Sequence, residues 1–182
     1  KEIEIAYDES QKSSLLNKKE APILMVGFNR RFAPLIKLLK SYLKEINQPK
    51  AFTFNCNAGF IPSNHWVHDP EIGGGRLIGE SCHFVDLLRY LVDSPINNLT
   101  VKSLSKDIAL GDTFTLQLTF EDNSIGTINY FANGNKSFPK ERLEVFAGGN
   151  IFYLDNFRKL KVWGSNNFAS KKLLNQDKGQ NQ

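Results

Sequence analysis

Hydrophobic and polar positions fall into two regimes along the chain. Up to about residue 91 the apolar residues recur mainly at helical spacing, and beyond residue 95 they alternate in the manner of consecutive strands. Residues 1–12 read as the latter part of a helix with no N-cap before it, since Ile3, Ile5 and Ala6 hardly fill a face. A polar connection over residues 15–22 leads to Ile23, Leu24, Met25, Val26 and Gly27, a continuous apolar run of the kind found in strands covered on both faces. A helix feeding such a strand is one step of a doubly wound fold. No other step of that kind occurs, so residues 1–29 are expected to be the tail of a larger domain that is otherwise missing.

Leu35, Ile36, Leu38, Leu39 and Leu43 predict a helix over residues 32–46, with Pro34 tolerated in its first turn. Residues 51–57 alternate and predict a strand. An irregular segment follows over residues 58–75, and a stretch of that length inside a compact domain is usually functional or disordered. Its buried-type aromatics argue against disorder. A helix is predicted over residues 73–91. Strands are predicted over residues 96–106, 113–120, 124–131, 141–147, 150–154 and 159–163, with turn signals at 121–123 and 148–149. Tight connections make neighbouring strands antiparallel. The predicted class is α+β, an antiparallel sheet of about six strands with helices on one face. Residues 30–165 form that domain, and residues 166–182 are a polar tail expected to fray.

Composition changes this picture little. With 41% hydrophobic and 23% charged residues the chain has the make-up of an ordinary globular protein. The formal net charge of +4 comes from scattered lysines, a pattern of solvated surface rather than a nucleic-acid footprint. Two cysteines, Cys56 and Cys82, make no disulfide framework, and a cytoplasmic setting is the default expectation. No apolar run approaches the ~20 residues a membrane span needs.

Candidate chemistry centres on Gly73, Gly74 and Gly75, which open onto a segment carrying Glu80, Cys82, His83 and Asp86. Three consecutive glycines suggest a backbone that lets another molecule come close rather than a packing requirement. Val26-Gly27-Phe28-Asn29-Arg30-Arg31-Phe32, then Gly73-Gly74-Gly75-Arg76-Leu77 and Cys82-His83-Phe84-Val85-Asp86-Leu87-Leu88, followed by a run of hairpins, resemble the Gfo/Idh/MocA oxidoreductases over roughly residues 1–165. The resemblance implies a C-terminal α+β substrate-binding domain, preceded here by the last helix and strand of a Rossmann domain. It also implies NAD or NADP as cofactor, bound mainly by the missing part, a sugar or sugar-nucleotide as substrate, and a homo-oligomer formed through the open sheet face. Neither a Gly-x-Gly-x-x-Gly fingerprint nor the Glu-Lys-Pro segment of the family occurs in the chain.

On that resemblance His83 is the candidate base or proton relay; the alternative is a buried histidine that only braces its helix. The family's aspartate one turn earlier is replaced by Gly79, with Glu80 one residue later, about 100° round an ideal helix. Asp86, three residues on, is a candidate to orient the imidazole or to contact solvent or a neighbouring strand. Asn29, Arg30 and Arg31 are candidates to hold a cofactor or substrate phosphate, with an interdomain ion pair as the alternative. Trp66 and His68 are candidates for a loop over the substrate, with Trp66 stacking on a sugar or base; the alternative is a loop packed against its own sheet. His65, His68 and Asp69 tempt a metal reading that lacks a third ligand at a telling spacing, so no metal is predicted. Lys136 and Lys140, flanking Phe138-Pro139, read as a solvated loop with a diphosphate-sugar contact as the lesser option. The rival to the enzyme reading is a non-catalytic binding or oligomerisation module.

Overall fold

The computed structural model describes residues 2–17, 20, 22–105, 111–164 and 167–180. Helix α1 (Glu2–Leu16) is followed by a 3-10 turn at Asn29–Phe32, helix α2 (Pro34–Lys44) and strand β1 (Ala51–Asn57). A second 3-10 turn at Trp66–His68 precedes the short helix α3 (Gly75–Gly79) and helix α4 (Cys82–Val92). Seven further strands complete the chain: β2 (Ile96–Ser103), β3 (Phe114–Phe120), β4 (Ile125–Phe131), β5 (Glu141–Ala147), β6 (Asn150–Asp155), β7 (Lys159–Trp163) and β8 (Lys171–Lys172). No helix among the described residues is long and apolar enough to cross a membrane.

The strands form one sheet in the order β2-β3-β4-β1-β5-β6-β7-β8. The α+β class stands, but the sheet has eight strands rather than about six, and one pair, β1 with β4, is parallel. Parallel neighbours require a long crossover, and the irregular loop, α3, α4, β2 and β3 together supply it. Strand β1 thus sits in the middle of the sheet, antiparallel to β5 on its other side.

Alternation along β1 sends Phe52, Phe54 and Cys56 to a buried face and leaves Thr53, Asn55 and Asn57 on the other. Leu116, Ile128, Leu143, Val145, Phe152 and Leu154 extend the buried face. Helices α2 and α4 cover it with Leu35, Ile36, Leu39 and Leu43, and with Phe84, Leu87, Leu88 and Leu91. Phe54 and Phe84 stack with centroids 4.5 Å apart. Gly126 in β4 is required by this packing, because a Cβ there would lie 2.7 Å from Leu88 Cδ2.

Three expectations are corrected here. Ile23, Leu24, Met25 and Val26 form no strand and are 52 to 89% exposed. A strand needs a neighbour to complete its ladder, and no described strand pairs with this run. Next, the helix predicted over residues 73–91 breaks at Glu80 and Ser81, where Glu80 adopts φ −120° and ψ −41° and the Ser81 hydroxyl donates to the Leu77 carbonyl. Lastly, described residues of the polar tail are tied down instead of frayed. Phe168 packs against Tyr42 and Phe152 with centroids 4.9 and 5.5 Å away. Leu173 N donates to Arg158 O at 2.8 Å, and Lys178 Nζ reaches Glu141 Oε1 at 2.7 Å. Of the predicted strand over residues 96–106, Ile96–Ser103 forms, and residues 106–110 lie outside the described residues.

Candidate active site at the break between α3 and α4

The glycine run meets a local packing requirement that the sequence did not suggest. A Cβ on Gly73 would lie 2.5 Å from Trp66 O and 2.5 Å from Val67 Cα. Gly74 and Gly75 take φ of 64° and 79°, the left-handed region that side chains disfavour. Gly73 N and Gly74 N both donate to Asp69 O, at 2.8 and 2.9 Å. The run therefore folds the loop back against the 3-10 turn at Trp66–His68 and launches α3.

Arg76, 2% exposed, locks the break. Its Nε donates to Glu80 Oε1 at 3.2 Å, another guanidinium nitrogen donates to Gly59 O at 2.8 Å, and its Cζ lies 4.9 Å over the Tyr130 ring. The Tyr130 hydroxyl donates to Glu80 Oε2 at 2.6 Å. Burial pushes the Tyr130 phenol well above its usual range, and its bond to the Glu80 carboxylate adds to the rise. Glu80 thus turns towards the sheet and takes donors from Arg76 and Tyr130.

His83 lies at the start of α4, half-buried, with the Phe28 ring edge-on at 5.6 Å. Its Nδ1 is buried with no hydrogen-bond partner among the described residues. Burial, and then the positive charge of Arg30, lower its pKa below the usual histidine value, against the opposing pull of Asp86, Glu141 and Glu80. Asp86 makes a two-pronged ion pair with Arg31, the Arg31 Nε lying 3.0 Å from Asp86 Oδ2. That hydrogen bond raises the Arg31 pKa.

Arg30 is likewise committed, donating from Nε and a terminal nitrogen to Glu141 at 3.0 and 3.1 Å. Asn29 Nδ2 donates to Lys178 O at 2.9 Å. The three residues the sequence offered as phosphate holders thus all engage groups of this same chain. Trp66 is 60% exposed with His65 beside it at 5.6 Å, and His68 has a buried Nε2 without a described partner. Among the described residues no group of three His, Cys, Asp or Glu could hold a metal. Burial pushes the Cys56 thiol up to about 12 and also raises Cys82, so neither is poised as a thiolate.

Arg76, Tyr130 and Glu141 were not singled out by sequence reasoning. Their signals were present: Arg76 and Glu80 stand four apart within the helix predicted over residues 73–91, and Tyr130 and Glu141 occupy inward positions of alternating strands.

An open, mostly antiparallel sheet with helices on one face, one of them a histidine helix launched from a glycine-rich loop, defines an α+β domain. The GFO/IDH/MocA C-terminal domain matches residues 43–148, and the chain belongs to the Gfo/Idh/MocA family. It is 26% identical over 170 residues to the uncharacterized oxidoreductase YrbE of Bacillus subtilis, covering 89% of this chain and 49% of that protein. It is also 26% identical over 153 residues to myo-inositol 2-dehydrogenase of Thermotoga maritima, covering 80% of this chain and 45% of that protein. The chain therefore spans about half the length of the curated relatives it matches. Its fold is shared with a levoglucosan dehydrogenase solved with NADH, at a TM-score of 0.67 and 20% identity, covering 92% of this chain and 51% of that one.

Proposed function

We propose that this chain is the substrate-binding part of an NAD(P)-dependent dehydrogenase acting on a sugar or sugar-nucleotide, and that His83 accepts the proton of the hydroxyl being oxidised. The observation that carries this reading is the buried, unpartnered Nδ1 of His83 on an imidazole whose pKa is lowered by burial and by Arg30. A lowered pKa keeps the ring neutral at pH 7, the form able to take a proton. The Arg31 pair fixes Asp86 on the same helix, so α4 presents His83 from a rigid base. Arg76, Tyr130 and Glu80 hold the break from which α4 starts. Bound nicotinamide would supply the hydride acceptor. The chain has no glycine fingerprint, and Arg30 and Arg31 are committed to carboxylates, so its own part is to meet the substrate rather than to hold the cofactor's diphosphate.

His83→Ala in the full-length protein is expected to lower turnover by ~10² or more, while His83 in the parent enzyme gives a rate that falls as pH drops through its lowered pKa. Unchanged turnover and an unchanged acid limb would defeat the assignment.

Assembly through the outer sheet face is a second element of the reading, and it holds whether or not the chain is catalytic. Ile125, Ala51, Phe146, Ile151 and Trp163 stand opposite one another across β4, β1, β5, β6 and β7, forming an apolar row. Its four large members are 39 to 55% exposed. Such a row marks an interaction site. Sedimentation is expected to show a dimer or larger assembly that Phe146→Glu disperses; a monomeric parent chain would refute it.

A further inference from the structure

A concentration of unpaired positive charge lies outside the His83 cluster, where the loop of residues 132–140 meets the outer face of the sheet. Register places Asn55, Arg142, Asp155, Lys159 and Lys172 in one row across β1, β5, β6, β7 and β8. Lys159 and Lys172 stand directly opposite each other, a like-charge pairing that weakens a sheet. A cleft of about 580 Å³ opens beside them. Lys136, Lys140, Arg158, Lys159 and Lys172 line it against the single carboxylate of Asp155. That excess of four positive charges is as large as the formal net charge of the whole chain, +4, so the remainder of the sequence is balanced. None of the five cations forms an ion pair with a described residue.

The cleft is built on fixed backbone. Asn57 Nδ2 donates to Asn135 O at 2.7 Å and holds the loop, and the Arg142 guanidinium lies 4.3 Å over the Phe138 ring. On the other wall Asn156 and Phe157 take φ of 48° and 54° in a turn closed by Arg158 N donating to Asp155 O at 2.9 Å. Asn156 N donates to Glu141 O at 2.7 Å, and Gln176 Nε2 donates to Asn156 O at 2.9 Å, so the strained turn is held from both sides. Two buried polar atoms here lack partners, Arg142 Nε and the Asn156 side-chain oxygen. One is a donor and the other an acceptor.

We propose that this cleft binds the diphosphate group of a small ester such as a nucleoside diphosphate. Cations from two walls converge on one concavity, which suits a compact polyanion better than the extended backbone of a nucleic acid, where a stripe of charge is needed. Phe138, 50% exposed at the rim, offers a face for a base or sugar, and the Asn156 oxygen accepts from a ligand hydroxyl. The proposal goes beyond the dehydrogenase reading and does not depend on it.

Calorimetric titration of this chain with inorganic pyrophosphate and with a nucleoside diphosphate, at low ionic strength, tests it. Both are expected to bind at one site, the nucleoside diphosphate more tightly. Lys140→Ala with Arg158→Ala is expected to weaken binding by about tenfold or more. Lys12→Ala with Lys44→Ala, removing the same charge elsewhere, is expected to change affinity by less than about twofold. All four side chains are exposed, so folding is not at stake. No saturable binding, equal weakening by the two double variants, or tighter binding of a single-stranded oligonucleotide would overturn the proposal.

Discussion

Replacing Glu141 with alanine is expected to cost about 3–5 kcal/mol of folding stability, the range for breaking a buried ion pair from one side. The Glu141 side chain is 0% exposed and serves two cations, Arg30 at 13% and Lys178 at 17% exposure. Without it, Arg30 is left charged beneath solvent-poor surroundings, 4.8 Å from the Phe84 ring, and the tail loses the anchor at Lys178. Urea unfolding at pH 7 measures the loss, and a change below about 1 kcal/mol would contradict it. Acid gives an independent check. Burial alone would raise the Glu141 pKa, but the Arg30 hydrogen bonds and charge, with Lys178, reverse this and hold the carboxyl below its usual value. A carboxylate depressed in the folded state contributes stability that is fully present above its unfolded pKa of about 4.3 and is lost as pH falls through the folded value. Wild-type stability is therefore expected to decline below about pH 4.3, and this component of the decline to vanish in Glu141→Ala.

Phe84→Ala is expected to cost about 3–5 kcal/mol, as large aromatic truncations in a core do. Phe84 is 1% exposed, stacks on Phe54 at 4.5 Å and lies 6.2 Å from Tyr130. The ring joins α4 to the middle of the sheet one residue after His83. Thermal unfolding and urea midpoints measure the effect. A variant as stable as the parent would show that α4 does not depend on this stack.

Much of the fold was legible because local patterns encode burial. Alternation at Phe52, Phe54 and Cys56 predicted β1, and the turn at Gly148 and Gly149, with φ of 54° and 76°, was readable as a hairpin between β5 and β6. The apolar spacing of Leu35, Ile36, Leu39 and Leu43 predicted α2 to within a turn at each end. The parallel pairing of β1 with β4 was not legible, since it joins Ala51 to Ile125 across two helices and two strands. The apolar run at Ile23 to Val26 has the composition of a buried strand, yet composition cannot supply the neighbouring strands that would bury it.

The candidate site divides in the same way. His83 and the glycine run stood out in the sequence, but the reason for Gly73 is the backbone of Trp66 and Val67, which a linear reading does not bring near it. Arg30 and Arg31 looked free to hold a ligand because their partners are remote: Glu141 is 111 positions away and Asp86 is 55. Lys136 and Lys140 read as one solvated loop until β6, β7 and β8 placed Arg158, Lys159 and Lys172 opposite them.

By itself the sequence determined the α+β class, the family resemblance and the helix bearing His83, because each rests on spacing within a few turns or strands of chain. Which charges are neutralised, which strand lies at the centre and where cations converge were decided only by the tertiary structure. Those are properties of contacts between distant segments, and Coulomb and packing energies depend on distance in space, not along the chain.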